Sequence, residues 1–294
     1  MREFSTLHPF VILLYFASVI FFTMFQTHPI FLVSSLVISI IFAIKALGVA
    51  ELKKRLLFFS IFFIIIAISN PLFVHKGVTP LFYMNGNAVT LEATIYGVVF
   101  ASMLISVIIW FTSFNKIMSS DKMIYIFSAI IPTIGLIISM ILRFVPRFQL
   151  QLNKIIDINK VAGDPFKSKG IKHRLVTIFN MFSILLTWAF ENSIDTANSM
   201  KARGYGLKGR TTFHLYKFET RDLIFMLLII GLVSLNIFNY YNFDLRFYYY
   251  PDIAPINMSI FDIMAYLNNI LLLTLPLILE VKEELKWKSL ISKI

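Results

Sequence analysis

The chain has no cysteine among its 294 residues. That absence removes disulfides, thiol nucleophiles and thiolate metal sites together, and leaves the redox compartment open. Charge is also scarce, at 15% of residues, where soluble domains carry about 25%. No G-x-x-x-x-G-K-[ST] phosphate loop occurs, so ATP hydrolysis by the chain itself is not expected, and no H-E-x-x-H occurs either. The five histidines, His8, His28, His75, His173 and His214, show no ligand spacing, and neither a metal nor a cofactor is expected. Carboxylates are nearly missing from the long apolar runs. Glu92 and Asp262 fall near helix starts, where negative charge suits the helix dipole, which leaves a proton relay or intramembrane hydrolase without its groups.

What is abundant is apolar: 58% hydrophobic residues, 31 of them Phe. Runs of spanning length lie near Pro9–Phe25, Pro29–Leu47, Leu56–Ile68, Ala88–Phe111, Leu223–Asn239 and Ile260–Leu279. The first is read as a retained helix rather than a signal peptide, because Met1-Arg2-Glu3 is weakly charged and no small-residue cleavage site follows. Met123–Val145 and Leu175–Phe190 are apolar enough to span by hydropathy alone. Between them, however, eight basic residues from Arg143 to Arg174 face only Asp157 and Asp164, which an external loop would not carry. Residues 112–221 are therefore placed on the cytoplasmic side, with 16 Lys and Arg against 6 Asp and Glu, a net +10 of the total +11. Lys45, Lys53, Lys54 and Arg55 also fall inside, and only Lys76 and Arg246 outside, so both termini are expected in the cytoplasm. Charge gathered in this way answers to a membrane surface or a protein partner, and no nucleic-acid partner is expected.

The expectation is an all-α polytopic membrane protein of about six spanning helices with a cytoplasmic insert of two long amphipathic helices. Its regions are 1–112 with four spans, 113–221 as the basic insert and 222–294 with two spans. In the insert, Ile134, Ile137, Ile141, Val145 and Phe148 recur every three or four residues on one helical face, with a bend expected near Pro146. Lys167-Ser168-Lys169-Gly170 interrupts the pattern, and a second helix is predicted from about Ile171 to Ala202, capped by Gly204. Outside, Asn85-Gly86-Asn87 between short apolar runs predicts a hairpin, and the Tyr- and Phe-rich stretch from Tyr240 to Met258 suits the lipid–water boundary.

The second helix ends in Ser199-Met200-Lys201-Ala202-Arg203-Gly204-Tyr205-Gly206. An arginine there projects a planar five-donor fork towards carboxylates or helix carbonyls of another protein, although Ala-Arg-Gly alone could equally be a solvated helix end. In its setting the stretch resembles the coupling-helix signature of the transmembrane (T) component of energy-coupling factor transporters, the cobalt-transport-protein family. The resemblance takes in Leu142-Arg143-Phe144-Val145-Pro146-Arg147, Asn70-Pro71-Leu72-Phe73 with His75 and Gly77, Thr90-Leu91-Glu92-Ala93 with Gly97, and Ser119-Ser120-Asp121-Lys122.

The resemblance implies a non-catalytic scaffold in the cell membrane, with two P-loop ATPase subunits below it and a separate substrate-binding membrane subunit beside it. It further implies that Ala202, Arg203 and Gly204 couple to an ATPase, and that the Ile134 to Phe148 face passes the motion on. The imported substrate would be a vitamin or a metal ion. One departure stands out: where the family carries a first small-Arg-Gly motif, this chain reads Asn159-Lys160-Val161-Ala162-Gly163-Asp164, so the corresponding contact falls to Lys160 or other basic residues. The rival readings are a membrane protein whose basic amphipathic helices bind anionic lipids, and a self-contained carrier.

Overall fold

The computed structural model describes residues 3–84, 86–161, 170–207, 216–242, 247–255 and 259–291. It forms two compact units, residues 1–123 with 216–294, and residues 124–215. In chain order the elements are α1 (Glu3–Thr6), α2 (Pro9–Phe25), α3 (Pro29–Leu47), α4 (Val49–Phe73), β1 (Pro80–Met84), β2 (Asn87–Thr90) and α5 (Leu91–Ile117). They continue with α6 (Ser120–Ile130), α7 (Pro132–Val161), α8 (Ile171–Ala202), α9 (Thr220–Asn242) and α10 (Ile260–Ile291). Among the described residues seven helices, α3, α4, α5, α7, α8, α9 and α10, are long and apolar enough to cross a membrane, and α2 is an apolar helix of 17 residues. The chain is an all-α polytopic membrane protein. α7 and α8 are the least apolar of the seven, with mean hydropathies of 1.4 and 1.3 against 1.6 to 2.5 for the others.

α2 and α3 both begin His-Pro. His8 and His28 occupy the N-cap, where each Nδ1 accepts the backbone N–H two residues on, from Phe10 and Ile30, at 3.3 Å. Proline follows at the first helical position, where no donor is needed. With Nδ1 accepting, the neutral His28 ring carries its proton on Nε2, which lies 3.2 Å from the Tyr266 hydroxyl. Burial lowers the pKa of both rings, against the attraction of Asp222 at His8 and Asp262 at His28.

The core of the first unit is aromatic. Phe4, Tyr15, Phe16, Phe42 and Trp110 are buried and meet edge to face, for example Phe16 on Phe42 at 5.8 Å and Phe4 on Tyr15 at 5.4 Å. Hydrogen bonds run through this core: Ser35 Oγ sits 2.8 Å from Thr23 Oγ1 and 3.0 Å from Ser106 Oγ, and accepts from Trp110 Nε1 at 3.2 Å. One small hydroxyl thus ties α2, α3 and α5 together, which is how spanning helices associate when lipid supplies no hydrophobic drive between them. Tyr15 extends the tie to α10 by donating to the Leu273 carbonyl at 2.9 Å.

One end of this unit carries charge: Glu51 pairs with Arg55 at 3.0 Å and Lys116 at 3.7 Å, and Lys45 with Glu284 at 3.8 Å. At the same end buried Lys122 donates to the carbonyls of Ser5 at 2.6 Å and Ile117 at 3.1 Å, and Asp222 accepts from the backbone of His8 and Glu219. The opposite end is polar without ion pairs among the described residues. There β1 and β2 form the hairpin expected around Gly86, pairing Phe82 with Val89 and Tyr83 with Ala88; Asn85 lies outside the described residues. Residues 88–90, where the expected hairpin and the approximate start of the expected span overlap, belong to β2. Thr90 stops the helix there by capping it, its Oγ1 accepting the Ala93 N–H at 3.3 Å. Glu92 then turns back to accept from the backbone and hydroxyl of Thr79 at 3.1 and 2.7 Å, and a side chain at Gly77 would collide with its second oxygen. Asn70 holds the Ala93 carbonyl at 2.7 Å, and Gly97 lets α5 lie directly on the Ala67 carbonyl of α4.

Candidate functional site

Within the second unit, α7 and α8 form an antiparallel hairpin. Phe148 meets Trp188 edge to face at 5.5 Å, and one turn or two further on Ile155 and Met181 are both buried. α7 runs unbroken through Pro146, whose ring removes the N–H that would bond the Leu142 carbonyl. Upstream, α6 passes into α7 through Ile131, and Gly135 rests against Ser128 so closely that any side chain would displace it.

The helix face expected for coupling divides. Ile134, Ile137, Ile141 and Val145 are exposed, from 41% to 53%, while Phe148 is half-buried against α8. The α7 side chains turned inward are Leu136, Met140 and Phe144, one position round from the expected stripe. Periodicity alone did not separate the two stripes, because both are apolar and a hundred degrees of helix can hold either.

α8 ends as the sequence predicts. Tyr205 N–H reaches the Met200 carbonyl at 3.0 Å and Gly204 N–H the Lys201 carbonyl at 3.0 Å, the paired bonds of a Schellman motif, with Gly204 at φ +82°. Only glycine takes that angle without strain. The turn leaves Arg203 exposed as the cap residue itself.

Arg203 does not stand alone. It lines a cleft of about 570 Å³ together with Arg143 and Arg147 of α7 and Asp195, Ser199 and Met200 of α8. The two arginine segments noted in the sequence, 56 residues apart at their nearest members Arg147 and Arg203, are thus brought to one place by the hairpin. Among the described residues none of these three arginines, nor Asp195, forms an ion pair within 4 Å. The cleft was not visible in the sequence; the i, i+4 spacing of Arg143 and Arg147 was its one local sign.

Lys160 lies elsewhere. It sits in the last turn of α7, exposed and paired with Asp157 at 3.3 Å. Seventeen residues of helix separate it from Arg143, roughly 25 Å along the axis. The segment that departs from the family motif continues through Ala162, Gly163 and Asp164, which lie outside the described residues, as do Lys167, Ser168, Lys169, Lys208, His214, Arg246 and Met258.

Several curated proteins of similar sequence share one description. The chain is 37% identical over 108 residues to an energy-coupling factor transporter transmembrane protein, EcfT, of Exiguobacterium sibiricum, a match covering 35% of this chain and 41% of that protein. It is 32% identical over 116 residues to the EcfT of Lactobacillus helveticus, covering 38% and 42%. A longer match, 26% identical over 183 residues, joins it to the EcfT of Staphylococcus aureus and covers 58% and 67%. The chain is a relative of the energy-coupling factor T components. It spans about two-fifths of the length of the first two of these proteins. No protein-family model matches the chain.

Proposed function

We propose that this chain is the membrane scaffold of an energy-coupling factor importer. It hydrolyses nothing itself: two separate P-loop ATPases act on the α7–α8 hairpin from the cytoplasm, and a separate membrane subunit selects the substrate, a vitamin or a metal ion. The chain lies in the cell membrane with both termini inside and the stretch 112–221 at the cytoplasmic surface, a layout that rests on the basic residues clustered in the short connections from Lys45 to Arg55 and from Arg143 to Arg174, where the positive-inside rule applies. The observation that supports the reading most is Arg203, exposed and without an ion pair among the described residues at the tightly capped end of a 32-residue helix. A helix is a stiff rod and the Schellman turn fixes the angle of its last residue, so force applied to the guanidinium moves the whole of α8. The exposed Ile134, Ile137, Ile141 and Val145 form an apolar surface over which a neighbouring membrane subunit can slide.

The experiment compares Arg203→Ala, Arg203→Lys and Lys160→Ala for co-purification with a tagged ATPase pair at matched expression. Truncating one partner of a buried charged hydrogen-bond pair costs about 2–5 kcal/mol, so Arg203→Ala is expected to lose most ATPase binding. Arg203→Lys keeps charge without the fork and should fall short of the native chain. Lys160→Ala, which removes a hydrated point charge already paired to Asp157, should bind nearly as before. Native binding by Arg203→Ala would refute the coupling role.

A further inference from the structure

The cleft between α7 and α8 has a lining that coupling to an ATPase does not require. One wall of α7 is apolar, Leu136, Met140 and Phe144, at successive four-residue steps. Next to it on the same helix stand Arg143 and Arg147, and Arg203 joins them from the end of α8. Outside the cleft the apolar wall continues into exposed Ile137 and Ile141. Arg143 and Arg147, without ion pairs among the described residues and beside this apolar wall, are complementary to an anionic amphiphile.

We propose that this cleft binds one anionic phospholipid, its phosphate at Arg143 and Arg147 and the start of an acyl chain along Leu136, Met140 and Phe144, with Arg203 left to the ATPase contact. Asp195 on the facing wall narrows the choice. Its carboxylate opposes a bare, doubly charged phosphate but accepts from a headgroup hydroxyl, and Asn192 and Ser199 add polar partners for the same group. The fitting headgroup is therefore a phosphodiester bearing a polyol, as in phosphatidylglycerol, rather than phosphatidate. Charge alone would give the reverse order. The site goes beyond the scaffold reading and depends only on α7 and α8.

The test uses the full chain in phosphatidylcholine nanodiscs doped with phosphatidylglycerol or phosphatidate, with retained lipids counted by native mass spectrometry. The native chain is expected to keep one phosphatidylglycerol in preference to phosphatidate. Arg143→Gln and Arg147→Gln should each weaken retention about tenfold, the effect of one charge-assisted hydrogen bond. A Lys282→Gln, Lys286→Gln double variant removes twice the charge of either arginine variant, far along the sequence, and should change nothing. Unchanged retention in the arginine variants, equal loss in the lysine variant, or preference for phosphatidate would each overturn the assignment. So would displacement by inorganic phosphate as effective as by phosphatidylglycerol, since a free anion ignores the apolar wall. If the arginine variants lost ATPase binding while keeping the lipid, the cleft would be a protein socket and the proposal wrong. Circular dichroism checks folding; should a Gln variant lose helicity, Arg143→Lys and Arg147→Lys carry the same test, and native retention in both would count against it.

Discussion

The two units both contain helices long and apolar enough to cross a membrane, and they solve opposite problems. In the first, Trp110, Tyr15, Phe16 and Phe42 are at most 1% exposed, and a buried serine links three helices. In the second, the described side chains that are buried are few, Ile126, Ile155 and Met181, while Ile137, Ile141, Phe179 and Phe182 stay about half or more exposed. Hydrophobicity therefore does not by itself make a core. The first unit spends its apolar surface on itself, and the second presents it to lipid or to other proteins. Locally low packing of this kind leaves a region easier to displace than a well-packed one.

That contrast is most directly broken by truncating one aromatic in each unit. Trp110→Ala removes a fully buried ring and the donor to Ser35, and is expected to cost about 3–5 kcal/mol. Phe148→Ala removes a half-buried ring that touches Trp188, and should cost about 1 kcal/mol, since its partner surface can rewet. Thermal unfolding of the purified variants measures both, and equal losses would mean the hairpin is as tightly packed as the bundle.

Smaller effects are expected at the helix ends. Gly204→Ala forces a methyl into φ +82° and should weaken the Schellman turn by about 1 kcal/mol. Hydrogen exchange should then quicken at Tyr205 and Gly204 while Trp110 and its neighbours stay protected; a global rise would show the two units to be one cooperative body.

In the first unit the caps of α2 and α3 depend on pH. His8 and His28 have pKa values lowered by burial, so the unfolded chain protonates first as pH falls. Between the ordinary imidazole value near 6.5 and the lower folded value the unfolded state holds more protons, so stability drops with acidification and levels off below the folded value. Protonation also turns Nδ1 from acceptor to donor and ends both caps. His8→Asn keeps a cap acceptor that does not titrate, and should flatten the part of the acid slope due to His8 when unfolding is followed against pH. An unchanged slope would mean that folding does not lower the pKa of His8.

Much of this was legible beforehand. Helix α8 and its glycine cap, the Gly86 hairpin, the apolar helix at Pro9 and the spans near Pro29, Leu223 and Ile260 follow from local rules, since a cap, a turn or an apolar run is settled within a few residues. The His-Pro starts were equally local, but histidine is not among the common caps, and the spacing argument went no further than rejecting those rings as metal ligands. The sequence itself determined a polytopic helical protein with basic charge concentrated in 112–221 and an arginine at a helix end, because hydropathy, charge and capping act along the chain. Tertiary structure alone decided which stripe of α7 faces α8, that Ser35 would be the shared hydroxyl of three helices, and that Arg143, Arg147 and Arg203 would meet in one cleft far from Lys160. Those outcomes depend on the angle and register at which two helices pack, and side-chain fit across the contact sets these, a quantity that no single segment carries.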